Sequence, residues 1–149
     1  MIYVSWNQAA DYCQWAGGDL PTEAQWEKAA RGTDGRTYPR GNNVPNTNSV
    51  NYYNDGGDIT AVGSFLDGAS PFGALDMAGN VWEWVLDNYG TYKPGDTNNP
   101  TGPTKGNTKV VRGGVWSLNA TANVRSSYRN NLHPSYPSVN IGFRCVFLP

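Results

Sequence analysis

Met77-Ala78-Gly79-Asn80-Val81-Trp82-Glu83-Trp84 is the stretch whose reading decides the fold. Gly79-Asn80 is a turn pair, and Val81-Trp82-Glu83-Trp84-Val85 behind it is rich in the branched and aromatic side chains of strands. Two further strands are expected toward the C-terminus, Lys109-Val110-Val111-Arg112 and Ile141-Gly142-Phe143-Arg144-Cys145-Val146-Phe147. Trp82, Trp84 and Trp116 could be read as a carbohydrate-stacking platform, but core rings with hydrogen-bonded indoles are the better expectation.

On the N-terminal side two helices are signalled. Ser5-Trp6-Asn7-Gln8 is a capping box, with Ser5 as N-cap and Gln8 at N3. Trp6, Ala9, Ala10 and Cys13 then recur at helical spacing, and Gly17-Gly18 stops the run. Thr22 and Gln25 repeat the device, with Trp26, Ala29 and Ala30 as the apolar stripe and Gly32 as the stop. From about residue 33 to 80 the pattern dissolves into turns such as Gly41-Asn42-Asn43 and Asn54-Asp55-Gly56-Gly57, and 94–107 reads as a surface loop. So long an irregular stretch inside one domain requires something to order it, such as a bound ion or a disulfide.

The 149 residues suffice for one domain with a real core, and neither an internal repeat nor a linker divides them. Net charge is −1 with no basic cluster, which argues against nucleic acid. No apolar run is long enough for membrane insertion, and no signal peptide is visible, so an exported form would carry its signal elsewhere. The two cysteines, Cys13 and Cys145, are open to a disulfide or to two buried thiols, and are too few for a structural zinc site.

Five blocks carry a resemblance: Val4–Cys13, Leu20–Gly32, Met77–Trp84, Val111–Trp116 and Ile141–Cys145. In order and over nearly the whole chain they resemble the formylglycine-generating-enzyme (sulfatase-modifying-factor) family. The resemblance implies an α+β, C-type-lectin-like fold with two helices, small twisted antiparallel sheets and long ordered loops, spanning 1–149 as one domain. The family's usual strand region ahead of Val4 is missing from this sequence, so either a trimmed chain or a short natural version is expected. The resemblance also implies a disulfide between Cys13 and Cys145. A bridged protein would belong on a cell surface, in a secreted form or in a virion, whereas an unbridged one suits the cytoplasm.

The enzyme that names the family holds copper on two cysteines just after the block matched here by Gly113–Trp116. This chain carries Leu118 and Ala120-Thr121-Ala122-Asn123 there. Copper(I) requires soft thiolates, so neither copper nor catalysis is expected. His133 is the chain's one histidine, and it is read as an exposed loop residue rather than a base.

Ser117–Ile141 is compositionally unusual, because Glu, Lys, Gln, Met and Trp are absent from it although they supply 18 of the other 124 residues. Those five cannot be encoded by codons ending in C or T. The segment resembles the variable region of a diversity-generating-retroelement protein, where adenine-directed mutagenesis precedes a closing Gly-Phe-Arg. That resemblance assigns Val124, Arg125, Arg129, Ile141 and Gly142 to the scaffold. It assigns ligand contact to Ser117, Leu118, Asn119, Thr121, Asn123, Ser127, Tyr128, Asn131, Leu132, His133, Ser135, Tyr136, Ser138 and Val139. The expected function is recognition of a protein or cell-surface ligand; the alternative is an ordinary accessory or oxidoreductase-like module of the family without the copper cysteines. Tyr gives rigid contact area, and Ser and Asn give adaptable hydrogen bonds. Asn119-Ala120-Thr121 also matches a glycosylation acceptor.

Calcium is the one cofactor the family resemblance implies. Asp76 and Glu83 would give carboxylates, Gly79 and Val81 carbonyls, and a second site would start at Asn51 and the Tyr52 carbonyl, with Asn54, Asp55 or Asp58 completing it.

Overall fold

The computed structural model describes residues 1–52, 57–92, 95 and 98–147. Its contacts cluster into two compact units, 1–26 with 83–112 and 129–149, and 27–82 with 113–128. The element order is α1 (Trp6–Trp15), α2 (Glu23–Arg31), β1 (Trp82–Asn88), β2 (Lys109–Arg112), β3 (Arg129–Leu132) and β4 (Ile141–Phe143). Two 3-10 turns, Leu66–Gly68 and Thr121–Val124, interrupt the loops.

Both helix starts follow their capping boxes. Ser5 Oγ accepts from Gln8 N while Gln8 Oε1 accepts from Ser5 N, and Thr22 and Gln25 exchange the same pair of bonds. Gly17 and Gly32 end the helices in the left-handed region, at φ 85° and 70°. In the first unit α1 buries Ala9 and Cys13, and Trp26, Leu20, Val85 and Val111 are buried with them. Cys13 and Cys145 are joined in a disulfide, which settles the open alternative of the two cysteines.

The strands form one sheet in the order β3-β2-β1-β4, with β1–β2 and β2–β3 antiparallel. Three bounds differ from the sequence reading. β1 starts one residue late and runs on to Asn88, because Asp87 turns inward to accept the Glu23 N–H and Leu86 N bonds Pro21 O. β4 stops at Phe143, where Arg144 turns to Glu83 and Cys145 to Cys13, leaving Val146 only an isolated bridge to Asp19. β3, Arg-Asn-Asn-Leu, carries no strand pattern; it is extended because it pairs with β2, from Lys109↔Leu132 to Arg112↔Arg129.

In the second unit Tyr38, Val50, Ala78 and Val124 make the apolar cluster, with Tyr52 packed on it. Polar side chains order the irregular chain around it. Asn80, at φ 62°, accepts on Oδ1 from Asn51 Nδ2 and Thr60 N, and donates from Nδ2 to Thr60 O. Gly79 donates to Gly113 O, and a Cβ on it would collide with the Asn51 carbonyl.

Candidate functional site

The base of the unusual segment is an ion cluster in the first unit. Glu23 opens α2 and is buried, with Arg112 Nη1 on its Oε1 at 3.2 Å. Arg129 donates from Nε to Glu23 Oε1 at 2.9 Å and from Nη2 to Oε2 at 2.6 Å, with Nη1 on Gly90 O. The Arg129 guanidinium also lies 4.7 Å from the Tyr89 ring and 4.1 Å from the Tyr92 ring, and the Tyr92 hydroxyl donates to Glu23. Burial opposes the charge on Arg129, but the Glu23 carboxylate holds its pKa above the usual value. Asp87 is held the other way: burial raises its pKa, although the Glu23 N–H favours the charged form.

Ser117–Tyr128 lies in the second unit. Ser117, Asn119 and Ser127 are exposed, while Leu118, Thr121, Asn123 and Tyr128 are half-buried. The Tyr128 ring stacks on Trp82 at 5.9 Å. In the first unit Asn131 and Leu132 sit half-buried on β3, followed by a turn in which Tyr136 N bonds His133 O and His133 Nδ1 accepts from Ser135 N. His133, Ser135, Tyr136 (53% exposed) and Val139 (50%) face solvent, and Ser138 is half-buried. None of the fourteen ligand candidates is buried, while Val124, Ser126, Ile141 and Gly142 between and after them are. Arg125 departs from its scaffold assignment: it is exposed, with Nε on Ala122 O. Of the three tryptophans, Trp84 is fully buried with Nε1 on Val4 O, Trp82 is buried, and Trp116 is half-buried.

The residues implied for calcium divide between the units, with Glu83 in the first and Asn51, Tyr52, Asp76, Gly79 and Val81 in the second. Glu83 Oε2 accepts from Trp26 Nε1 and Arg144 Nε, each at 2.6 Å, and Oε1 accepts from Arg144 Nη2 at 2.7 Å. A carboxylate already matched to a guanidinium is a poor cation ligand. Asp76, at φ 57°, accepts from Gly63 N at 2.7 Å. Asn51 differs: its Oδ1 is buried without a hydrogen-bond partner, while its Nδ2 is spent on Asp58 O and Asn80 Oδ1. An orphaned buried oxygen suits a hard cation. Asn54 and Asp55 lie outside the described residues. Both cysteines of the chain are consumed by the disulfide, so no thiolate is left for copper.

Sequence reasoning missed Glu23, Tyr89, Tyr92 and Asp87 as supports of the segment. A carboxylate at the first position of α2 reads as an ordinary favourable helix start, and nothing local announces two arginines from remote strands.

Comparison with known proteins places these features. The model of the sulfatase-modifying factor enzyme 1-like domain matches residues 1–148. The chain is 35% identical to the serine/threonine-protein kinase pkn1 of Chlamydia caviae, over 98% of the chain and 24% of that protein. It is 33% identical to the formylglycine-generating enzyme of Mus musculus, over 98% and 43%. It is 37% identical to the inactive C-alpha-formylglycine-generating enzyme 2 of Mus musculus, over 98% and 48%. The chain thus spans a quarter to a half of these relatives. Among solved structures, variable protein 1 of Treponema denticola superposes with a TM-score of 0.72 at 29% identity, over 83% of this chain and 45% of that one. PvdO from Pseudomonas aeruginosa superposes at 0.81 and 29%, over 95% and 59%. The fold is α+β and C-type-lectin-like.

Proposed function

Because this chain belongs to the sulfatase-modifying factor enzyme 1-like family, we propose that it is a non-catalytic member that binds a protein or cell-surface ligand through the side chains of Ser117–Val139. The observation that carries the reading is the burial pattern: all fourteen candidate contact residues are exposed or half-buried, while Val124 and Ser126 between them and Ile141 and Gly142 after them are packed away. The likeness to a structure described as a variable protein supports it, as does the relative described as inactive.

Binding of this kind needs little chemistry. The framework fixes the backbone through Val124, the Arg129–Glu23 pair and Ile141, and the accessible side chains then change without disturbing it. Tyr136 offers a rigid ring at low entropic cost, and Asn119, Ser127 and Ser135 offer adaptable donors and acceptors. Catalysis by the copper route would require two thiolates, and both cysteines are bridged. The bridge also favours an oxidising location, at a surface or in a secreted particle.

The gene provides the first test. Codons ending in C across 117–141, with a near-copy differing at adenines beside a reverse transcriptase, are expected; absence of any such copy sinks the diversification. Copper-dependent oxidation of a cysteine peptide by the purified protein would overturn the non-catalytic reading. An ordinary accessory module is the second reading, favoured by 33% identity to an enzyme across nearly the whole chain. We also propose a calcium at Asn51. Saturating Ca²⁺ at about 100 times its Kd is expected to stabilise the protein by roughly 2.7 kcal/mol, and Asn51→Ala to abolish the gain. An unchanged melting curve in calcium would remove the site.

A further inference from the structure

A cleft of about 260 Å³ in the second unit is lined by the chain from Tyr38 to Asn46, by Ser49 and Val50, and by Gly68. None of the fourteen ligand candidates of Ser117–Val139 lines it. Its walls are set by their own hydrogen bonds. Tyr38 and Gly41 exchange main-chain bonds in both directions at 2.9 Å, the Tyr52 hydroxyl donates to Pro45 O, and Ser49 Oγ donates to Asn46 O. A site already held in this way needs little ordering when a ligand enters. The polar groups left over are mostly donors. Asn42 Oδ1 accepts from Thr37 N and Asn46 Oδ1 from Asn48 N, which fixes both carboxamides and leaves each Nδ2 open. The Arg40 side chain is exposed and has no hydrogen bond or ion pair among the described residues. Tyr38 is only 6% exposed, yet among the described residues its hydroxyl has no partner. A buried hydroxyl in that state is costly until an acceptor reaches it. Neither Asp nor Glu is among the described lining residues, and Pro39, Val44, Pro45 and Val50 supply apolar surface.

We propose that this cleft binds a small hydroxylated carboxylate, of the chemical class of a sugar acid. Arg40 brings the one positive charge among the lining residues, which matches a single carboxylate better than the near-double charge of a phosphate monoester. Its planar guanidinium takes both carboxylate oxygens in parallel bonds. The Tyr38 hydroxyl and the Nδ2 groups of Asn42 and Asn46 donate to hydroxyl oxygens, and Asn43, which offers a donor and an acceptor, takes a hydroxyl either way round. The apolar wall covers the carbon skeleton. Size agrees: at about 30 Å³ for each liquid water, the cleft has room for roughly nine waters, which one sugar ring with its carboxylate displaces. The inference does not depend on the reading of Ser117–Val139, because no residue is shared between the two.

The test is calorimetric titration of the intact, oxidised protein with D-glucuronate, D-glucose and inorganic phosphate, with amide NMR spectra recorded alongside. Glucuronate is expected to bind about tenfold more tightly than glucose or phosphate, and to move the side-chain amide resonances of Asn42 and Asn46. Arg40→Gln is expected to weaken glucuronate by about tenfold, the loss of a charge-assisted pair, and Tyr38→Phe by roughly threefold to tenfold, the loss of one neutral hydrogen bond. Arg40 is exposed, so its variant tests the site without disturbing the core. Lys105→Gln removes an exposed cation of the other unit and is expected to leave binding unchanged. Neither heat nor a shifted resonance with glucuronate at about 10 mM overturns the site. Glucose binding as tightly as glucuronate removes the carboxylate from the proposal, and phosphate binding as tightly removes the sugar-acid class; either result overturns it. Binding that Arg40→Gln and Tyr38→Phe both leave unaltered lies elsewhere on the protein, and a loss in Lys105→Gln equal to that in Arg40→Gln marks a general charge effect. Both of these also overturn the cleft.

Discussion

At the scale of single residues, two groups decide more than their size suggests. The Cys13–Cys145 bridge spans 132 positions, so in the chain-entropy model it stabilises by about 4–5 kcal/mol. Cys13→Ser is expected to lower the unfolding free energy from a denaturant titration by that order, and a variant as stable as the parent would show that the closed loop does not restrain the unfolded chain. Asp87 acts with the opposite sign. Its pKa in the folded protein lies above that of the unfolded chain, chiefly through burial, so the folded state binds the proton more readily. Its contribution is fully present below an unfolded pKa of about 3.9 and is lost as pH rises through the higher folded pKa. Urea titrations from pH 4 to 7 are expected to show wild type losing stability relative to Asp87→Asn, and a pH-independent difference between the two would remove Asp87 from the account.

At the scale of elements, the helices were legible and the sheet was only partly so. Capping boxes are local: Ser5–Gln8 and Thr22–Gln25 sit within one turn, and both form as read. Thr22→Ala should cost about 1 kcal/mol, because Gln25 N loses its acceptor at the start of α2. An unchanged thermal midpoint would mean that the Asp87 carboxylate on Glu23 N suffices as the cap. β2 was legible from Lys-Val-Val-Arg, but β3 was not, because Arg-Asn-Asn-Leu is extended only by virtue of its partner. The loops of 33–80 needed an ordering agent, and much of that role falls to Asn80 and Asp76, two polar residues at positive φ whose side chains reach loop backbone. Positive φ at a non-glycine residue leaves little trace in a sequence.

At the scale of the whole molecule, the prediction concerns tolerance. His133, Ser135, Tyr136 and Val139 are all exposed, so changing them together to other small or aromatic residues should shift the melting temperature by no more than about 4 °C. A collapse of folding in such a variant would show that the segment carries structure as well as contacts. The amino-acid sequence by itself determined the family, both helices, the placement of the cysteines and the composition of Ser117–Ile141, because each rests on residue type and spacing along the chain. Only the tertiary structure decided that Glu23 gathers Arg112 and Arg129, that Glu83 is already matched by Arg144, and that β3 pairs with β2 at the end of the sheet. Those partners stand between 61 and 106 positions apart, and a charge pair or strand pairing over such separations is selected by packing, which no local pattern encodes.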